Sequence, residues 1–176
     1  MEKTIKSIAT NFGIYLGAIL AAITVIAYAT NLEILTEWWL GIGLFVMIIV
    51  FGIISISKSK HALGGYISFK EAFTAYFVTV LIGIVISSLV SIIIFNFIDP
   101  EAAITLKELV IEKSIEMMRG FNAPEESIAE ALSQMEEAPS QYAIGNVIQS
   151  LLIQLVIYSV IGLIISLIMK KTNEDL

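Results

Sequence analysis

Residues 72–98 read AFTAYFVTVLIGIVISSLVSIIIFNFI, and no Asp, Glu, Lys, Arg or His interrupts them. An α-helix rises about 1.5 Å per residue, so about 20 apolar residues cross the roughly 30 Å hydrocarbon core of a bilayer. This stretch is long enough to do so. It therefore predicts a transmembrane helix, and with it a membrane fold.

Three further apolar runs of similar character occupy residues 8–29, 38–57 and 147–169. Hydrophobic residues make up 57% of the chain and charged residues 15%, whereas soluble proteins carry about 25% charged residues. A soluble core of 176 residues could not bury that much apolar surface. The first run is longer than the apolar core of a cleaved signal peptide, so we expect it to remain as span one. The sequence predicts an all-α membrane protein, a bundle of four transmembrane helices.

The basic residues predict an orientation, because Lys and Arg near the span ends favour the cytoplasmic side. The side with both termini carries seven of them: Lys3, Lys6, Lys58, Lys60, Lys70, Lys170 and Lys171. The other side has Lys107, Lys113 and Arg119, all within the long segment between spans three and four. We expect a multi-pass protein of the bacterial inner membrane with both termini in the cytoplasm. Scattered basic residues at the bilayer edge do not suggest nucleic-acid binding.

The pattern divides the chain into three parts. Residues 1–98 hold the first three spans, residues 99–142 form an extracytoplasmic acidic helical hairpin, and residues 143–176 hold span four and a cytoplasmic tail. Asp99-Pro100 is typical of a helix start, Gly120 of a helix end, and Pro139 marks the end of the second hairpin helix.

A short elbow connects spans two and three on the predicted cytoplasmic side. Gly64 and Gly65 favour a turn there, and Ser68-Phe69-Lys70-Glu71 has the spacing of a capping box. In a capping box the Ser and Glu side chains satisfy free amides at the helix start. The elbow is interpreted first as a well-capped helix start, and alternatively as a docking site for a partner.

Small and polar residues recur every fourth position in three spans, a spacing that lets a second helix approach closely. The seam residues are Gly13, Gly17 and Ala21 in span one, Thr79, Gly83, Ser87 and Ser91 in span three, and Ser150, Gln154, Tyr158, Gly162 and Ser166 in span four. The first interpretation is helix–helix packing. The alternative is a polar path through the bundle, which Asn96, Gln149, Gln154 and Tyr158 could line.

The sequence lacks the residues that several kinds of catalysis, ion transport and metal binding require. There is no cysteine, one histidine (His61), and no ionisable residue in the middle of any span. Proton relays and ion-coupled carriers place such groups within the membrane. Nucleophile–base pairs and phosphate-binding glycine loops are also missing. We therefore expect no enzyme activity, no cofactor and no metal.

An acidic ridge runs along the first hairpin helix, where Glu108, Glu112 and Glu116 are one turn apart. Carboxylates so spaced could share a divalent cation, which would make the hairpin a cation sensor. A solvated face is the simpler interpretation, because calcium loops converge oxygens from a turn and a straight ridge does not.

The elbow sequence ALGGYISFKEAF (residues 62–73), the IDPE of residues 98–101, span one and the closing residues 161–171 together resemble a known family. It is the bacteroidete four-span membrane family, domain of unknown function 4199, and the resemblance covers nearly the whole chain. It implies a small multi-pass inner-membrane protein without established activity or catalytic residues. It also suggests an accessory role beside a polyprenol-type membrane glycosyltransferase.

Two functional hypotheses follow from these patterns. The first is a non-enzymatic scaffold or accessory subunit that acts through helix packing, with self-association or another membrane protein as partner and membrane lipid around it. The second is a small transporter or channel for a neutral or lipid-like solute, suggested by the polar stripe of span four. The two differ in whether that stripe is packed against helices or faces a cavity.

Overall fold

The computed structural model describes residues 2–171, which form six helices. Their bounds are α1 Glu2–Thr30, α2 Trp38–Ala62, α3 Phe69–Ile93, α4 Pro100–Gly120, α5 Glu125–Glu137 and α6 Ile144–Met169. A 3₁₀ turn, Leu32–Thr36, connects α1 to α2, and α3 continues into a π turn, Ile94–Ile98. The predicted all-α bundle is confirmed: α1, α2, α3 with its π turn, and α6 are the four helices long and apolar enough to span a membrane. Residues 172–176 of the predicted tail lie outside the described part of the chain.

The helix starts follow their local sequence. Ser68 and Glu71 form the predicted capping box before α3: the Ser68 amide donates to Glu71 Oε2 over 2.9 Å, and the Glu71 amide donates to Ser68 Oγ over 3.3 Å. Gly64 and Gly65 both have positive φ in the turn before it, a conformation that glycine adopts readily. Asp99 caps α4 by accepting a hydrogen bond from the Ala102 amide. The elbow residue Phe69 is exposed at the first position of α3.

Span three is the central helix of the bundle, because α3 packs against α1, α2 and α6. Its contact with α1 is the most extensive, whereas α2 and α6 meet only sparsely. Close approach of α1 and α3 depends on glycines. A Cβ atom on Gly17 would lie 2.7 Å from the Cβ of Ile86, and one on Gly83 would lie 2.5 Å from Leu16 Cδ2. The two helices are interlocked, each with a side chain seated on a glycine of the other.

The end of the bundle that carries the termini, here called the terminal face, is closed by contacts between the elbow and the end of α6. Ile67 and Lys171 exchange two backbone hydrogen bonds of 2.9 Å. Lys60 Nζ donates to the Met169 carbonyl over 3.0 Å. These contacts join α6 to the rest of the bundle at this face.

The opposite end, here called the hairpin face, carries α4 and α5. Lys113 on α4 forms ion pairs with Glu37, which follows the 3₁₀ turn, and, at 3.3 Å, with Glu33 within the turn. Its hydrogen bond with Glu37 raises the pKa of Lys113, so the ammonium is charged at neutral pH. Tyr28 of α1 also donates to Asp99 Oδ2 over 3.1 Å. The base of α4 is therefore fixed to the bundle by polar contacts.

Candidate functional site

A cleft of about 540 Å³ lies between α1, α2, α3 and α6 in the half of the bundle next to the hairpin face. Clefts of about 300–1,000 Å³ are the size of typical small-molecule sites. Along α6 the lining runs from Val147 to Tyr158, a separation of eleven residues or about 16 Å at 1.5 Å per residue. The cleft is lined by Leu20, Thr24, Leu35, Glu37, Leu40, Gly41, Leu44, Phe45, Ile48, Ile84, Ser87, Ser88, Ser91, Gln141, Tyr142, Val147, Ser150, Leu151, Gln154 and Tyr158.

The burial of the lining residues shows where the cleft opens. The residues from α1 and α3, such as Leu20 and Ser87, are buried or half-buried and form the back wall. The exposed lining residues within the spans come from α2 and α6, among them Gly41, Phe45 and Gln154. Because α2 and α6 also pack sparsely, the cleft opens sideways between these two helices.

Several polar side chains of the cleft lack partners among residues 2–171, although Thr24 donates to the Leu20 carbonyl over 3.2 Å. Tyr158 is only 5% exposed, and no hydrogen bond to its hydroxyl is found among residues 2–171. The same described residues provide no hydrogen bond to the side chains of Ser87, Ser91 or Gln154, which also line the cleft. An unpaired polar group in an apolar environment costs on the order of 1–3 kcal/mol. This arrangement therefore favours an occupant that can both donate and accept hydrogen bonds.

The floor of the cleft is aromatic. The rings of Phe45 and Tyr158 lie 5.4 Å apart where α2 meets α6. Below them the fully buried Tyr76 ring fills a slot between Gly52 of α2 and Gly162 of α6. The half of the bundle beyond this ring is packed, so the cleft is one-sided.

Three hydroxyls in that packed half are buried without a hydrogen-bond partner in the described part of the chain: Ser59, Tyr76 and Ser166. Thr79 differs from them, because its hydroxyl lies 3.1 Å from the Ala9 carbonyl and 2.8 Å from Ser55 Oγ. It thereby connects α1, α2 and α3 at one point.

The roof of the cleft is formed by residues outside the spans. Asn96 Nδ2 donates to the Tyr142 carbonyl over 2.8 Å, and the Tyr142 ring lies 4.2 Å from the ring of Phe95. Burial raises the pKa of Tyr142 to about 12, so its hydroxyl is neutral. Among residues 2–171, Glu37 is the only carboxylate of the lining, and it is paired with Lys113. The part of the lining that the structure describes therefore contains polar groups but no unpaired charge.

The seam residues predicted from sequence fall into two environments. Packed positions are Gly13 and Gly17 against α3, Gly83 against Leu16, the buried Thr79 and Ser166, and Gly162 against Tyr76; Ala21 is half-buried. Cleft positions are Ser87, Ser91, Ser150, Gln154 and Tyr158. Of the residues considered for a polar path, Gln149 is exposed outside the lining, and Asn96 forms part of the roof.

The acidic ridge residues Glu108, Glu112 and Glu116 are all exposed on α4. Among residues 2–171 no three His, Cys, Asp or Glu side chains come together as a metal site. Metal binding at the ridge has no geometric support there, and the expectation that the chain needs no metal or cofactor stays a prediction.

Sequence reasoning missed several lining residues. Ser88 lies one position from the seam residue Ser87, and Thr24 continues the seam of span one at Ala21 by a step of three. These two could have been found by allowing steps of three as well as four. Glu37, Gln141 and Tyr142 come from segments between the spans, and no periodicity assigns them to the cleft.

Comparison with known proteins gives one family. No curated protein and no solved structure matches the chain. A family model described as a protein of unknown function, DUF4199, matches residues 11–171. This match covers the first candidate span from residue 11 onward, the other three spans whole, and the hairpin between the third and the fourth. The chain therefore belongs to the DUF4199 family of proteins of unknown function.

Proposed function

We propose that this chain is a non-enzymatic multi-pass membrane protein that binds a neutral or lipid-like solute in the cleft between α2 and α6. The observation that carries this proposal is the group of unpartnered hydroxyl and amide side chains around Gln154 and Tyr158. They face a cleft without a free charge, so an uncharged ligand fits better than an ion. The packed half beyond Tyr76 supports a carrier more than an open channel.

Melting experiments on the purified protein in mild detergent test this function. Glycerol serves as a soluble neutral probe and dioctanoylglycerol as a lipid-like one, because a ligand that binds the folded state raises the melting temperature. We expect at least one of them to stabilise the wild-type protein. The double variant Gln154→Leu, Tyr158→Phe should lose that stabilisation, because it removes both hydrogen-bonding groups and keeps the aromatic floor.

Gln149→Leu is the matched control, because Gln149 lies on the same helix but outside the cleft lining. Each ligand should raise the melting temperature of this variant as much as it raises that of the wild-type protein. If neither probe stabilises the wild-type protein, or if the double variant responds as strongly, the cleft is not a binding site for neutral solutes.

A scaffold or accessory role is the second candidate function, and the hairpin supports it. Met117 and Phe121, at the far end of α4, are 60% and 80% exposed although they lie outside the candidate spans. Exposed apolar groups clustered outside a membrane mark contact sites for other molecules. The partner that we propose for this surface of α4 is another integral membrane protein. A polyprenol-type glycosyltransferase is the identity suggested by the family resemblance.

Co-purification in mild detergent distinguishes this role. We expect the wild-type protein to bring down a second membrane protein, and Met117→Ser with Phe121→Ser to release it. Ser127→Ala, an exposed change on the other hairpin helix, should retain it. Recovery of the wild-type chain alone would count against the scaffold role. Recovery of a homodimer would show that the partner is a second copy of this chain and not another membrane protein.

We also propose a location in the bacterial inner membrane with both termini in the cytoplasm. The lysines of the terminal face support this orientation. Because the chain has no cysteine, single cysteines can report it cleanly. In intact spheroplasts an impermeant maleimide should label Ser127→Cys in the hairpin and leave His61→Cys at the elbow unlabelled. Labelling of His61→Cys without labelling of Ser127→Cys would show that the hairpin, and not the termini, faces the cytoplasm.

A further inference from the structure

The sideways opening of the cleft bears on how a ligand reaches it. The hairpin-face end is covered by the Glu37–Lys113 ion pair and by Tyr142, which Asn96 and Phe95 hold in place. The opposite end is closed by the rings of Phe45, Tyr158 and Tyr76. The gap that remains lies between α2 and α6 and faces the surroundings of the bundle. In a four-span protein those surroundings are the acyl chains of the bilayer.

The rim of that gap is shaped for an apolar chain. On α2 it is formed by Gly41, where an added Cβ atom would meet nothing within 4 Å, and by Phe45, which is 40% exposed. Leu151 lies opposite on α6. The half-buried Ser87 lies on the back wall of the cleft, and the exposed Gln154 lies at the opening on α6. The opening thus combines an apolar edge on α2 with a polar side chain on α6, and further hydroxyls lie on the wall behind it.

We propose that the occupant of the cleft is a lipid with a small, uncharged, hydroxyl-bearing headgroup, which enters from the bilayer between α2 and α6. Its head hydroxyls exchange hydrogen bonds with Gln154 and Tyr158, and its acyl chains leave through the rim at Gly41 and Phe45. This inference rests on the proposed function and adds the class of ligand and its route.

The chemistry of the lining selects against other lipid heads. Hydroxyl and carboxamide groups both donate and accept, which suits a hydroxyl-bearing head. A phosphate would require cationic partners, and Lys113, which contacts the lining residue Glu37, is already paired with two carboxylates. Lipids with a phosphate head should therefore bind more weakly than uncharged ones.

A photoreactive diacylglycerol with the reactive group in its acyl chain tests the proposal in phosphatidylcholine vesicles containing the full-length protein. We expect cross-links at the rim of α2 and α6, and competition by unlabelled diacylglycerol. Phosphatidic acid, which has the same glycerol and acyl chains with an added phosphate, should compete at least about tenfold more weakly. Equal competition by the two lipids would overturn the selectivity for an uncharged head.

Two glycines of α2 provide a matched pair of variants for the route. Gly41 lies on the rim and Gly43 lies outside the lining, and a Cβ atom at either would meet nothing within 4 Å. Gly41→Phe should reduce cross-linking about tenfold by filling the rim, and Gly43→Phe should leave it unchanged. Equal labelling of the two variants would overturn sideways access.

The hydrogen-bonding groups are tested by the double variant Gln154→Leu, Tyr158→Phe. A loss of about tenfold in cross-linking corresponds to ~1.4 kcal/mol, as expected for one or two hydrogen bonds. Labelling spread evenly over the lipid-facing helices would overturn the lipid site. If glycerol stabilises the wild-type protein while diacylglycerol labels it only evenly, the solute-binding function stands and the lipid inference fails. If neither probe binds the cleft, both fail.

Discussion

Replacing Gly52 with alanine is expected to destabilise the bundle by about 1–3 kcal/mol, the usual cost of overpacking a filled core. The added methyl group would overlap the Cδ2 and Cε2 atoms of the Tyr76 ring. That ring has no room to move, because Gly162 contacts its other edge: a Cβ atom there would lie 2.5 Å from Tyr76 Cδ1. Unfolding by sodium dodecyl sulfate in mixed micelles, followed by loss of helical circular dichroism, measures the change.

Gly43→Ala is the control on the same helix. A methyl group at Gly43 would meet nothing within 4 Å, and alanine favours a helix over glycine by up to ~1 kcal/mol, so this variant should be as stable as the wild-type protein or more stable. The two alanine variants should thus move the unfolding midpoint in opposite directions. A Gly52→Ala protein at least as stable as Gly43→Ala would show that Tyr76 does not occupy the slot.

The apolar spans themselves were predictable because hydropathy is a property of local sequence. The run predicted at residues 72–98 becomes α3 and its π turn, Phe69–Ile98, and the capping residues Ser68 and Asp99 mark where α3 and α4 begin. The signals act within a few residues of the structure that they determine. The seven lysines near the ends of the spans likewise predict which helix ends lie on the same side of the bundle. That this side faces the cytoplasm stays a prediction.

The packing of Tyr76 was not predictable, because it depends on residues that are far away in the sequence. An aromatic residue within an apolar run suggests a lipid-facing position as readily as a core one. Its slot exists only because Gly52 and Gly162, from two other spans, meet on either side of the ring. Such a slot depends on which helices are neighbours, and spacing along one helix does not contain that information.

The seam of span four also shows that spacing along one helix does not predict what lies opposite it, and here the difference bears on function. Gln154 and Gly162 belong to one four-residue repeat, yet Gln154 faces the cleft and Gly162 packs against Tyr76. The repeat identifies one face of α6 but not what lies opposite it. Opposite Gln154 lies the cleft, and opposite Gly162 the Tyr76 ring of α3 fills the space. A binding site and a packed interface can therefore share one sequence pattern.

Strong coupling is expected between Gly83 and Leu16, the pair that interlocks α3 with α1. Leu16 is fully buried, and Leu16→Ala alone should cost about 2–5 kcal/mol through the cavity that it leaves. Gly83→Ala alone should cost about 1–3 kcal/mol, because the new methyl group would lie 2.5 Å from Leu16 Cδ2 and 2.7 Å from Leu16 Cγ. The same detergent unfolding experiment provides both values.

The double variant should be more stable than the sum of the two costs predicts, by about 0.5–3 kcal/mol. Removal of the leucine side chain beyond Cβ eliminates the two closest contacts and leaves only Leu16 Cβ, which would lie 3.2 Å from the new methyl group. The alanine methyl group also fills part of the cavity. Gly83→Ala combined with Leu152→Ala, an exposed change on α6, should be additive within about 0.5 kcal/mol. Additivity in both double variants would mean that α1 and α3 do not meet at this glycine, and the α1–α3 packing at the centre of the bundle would be wrong.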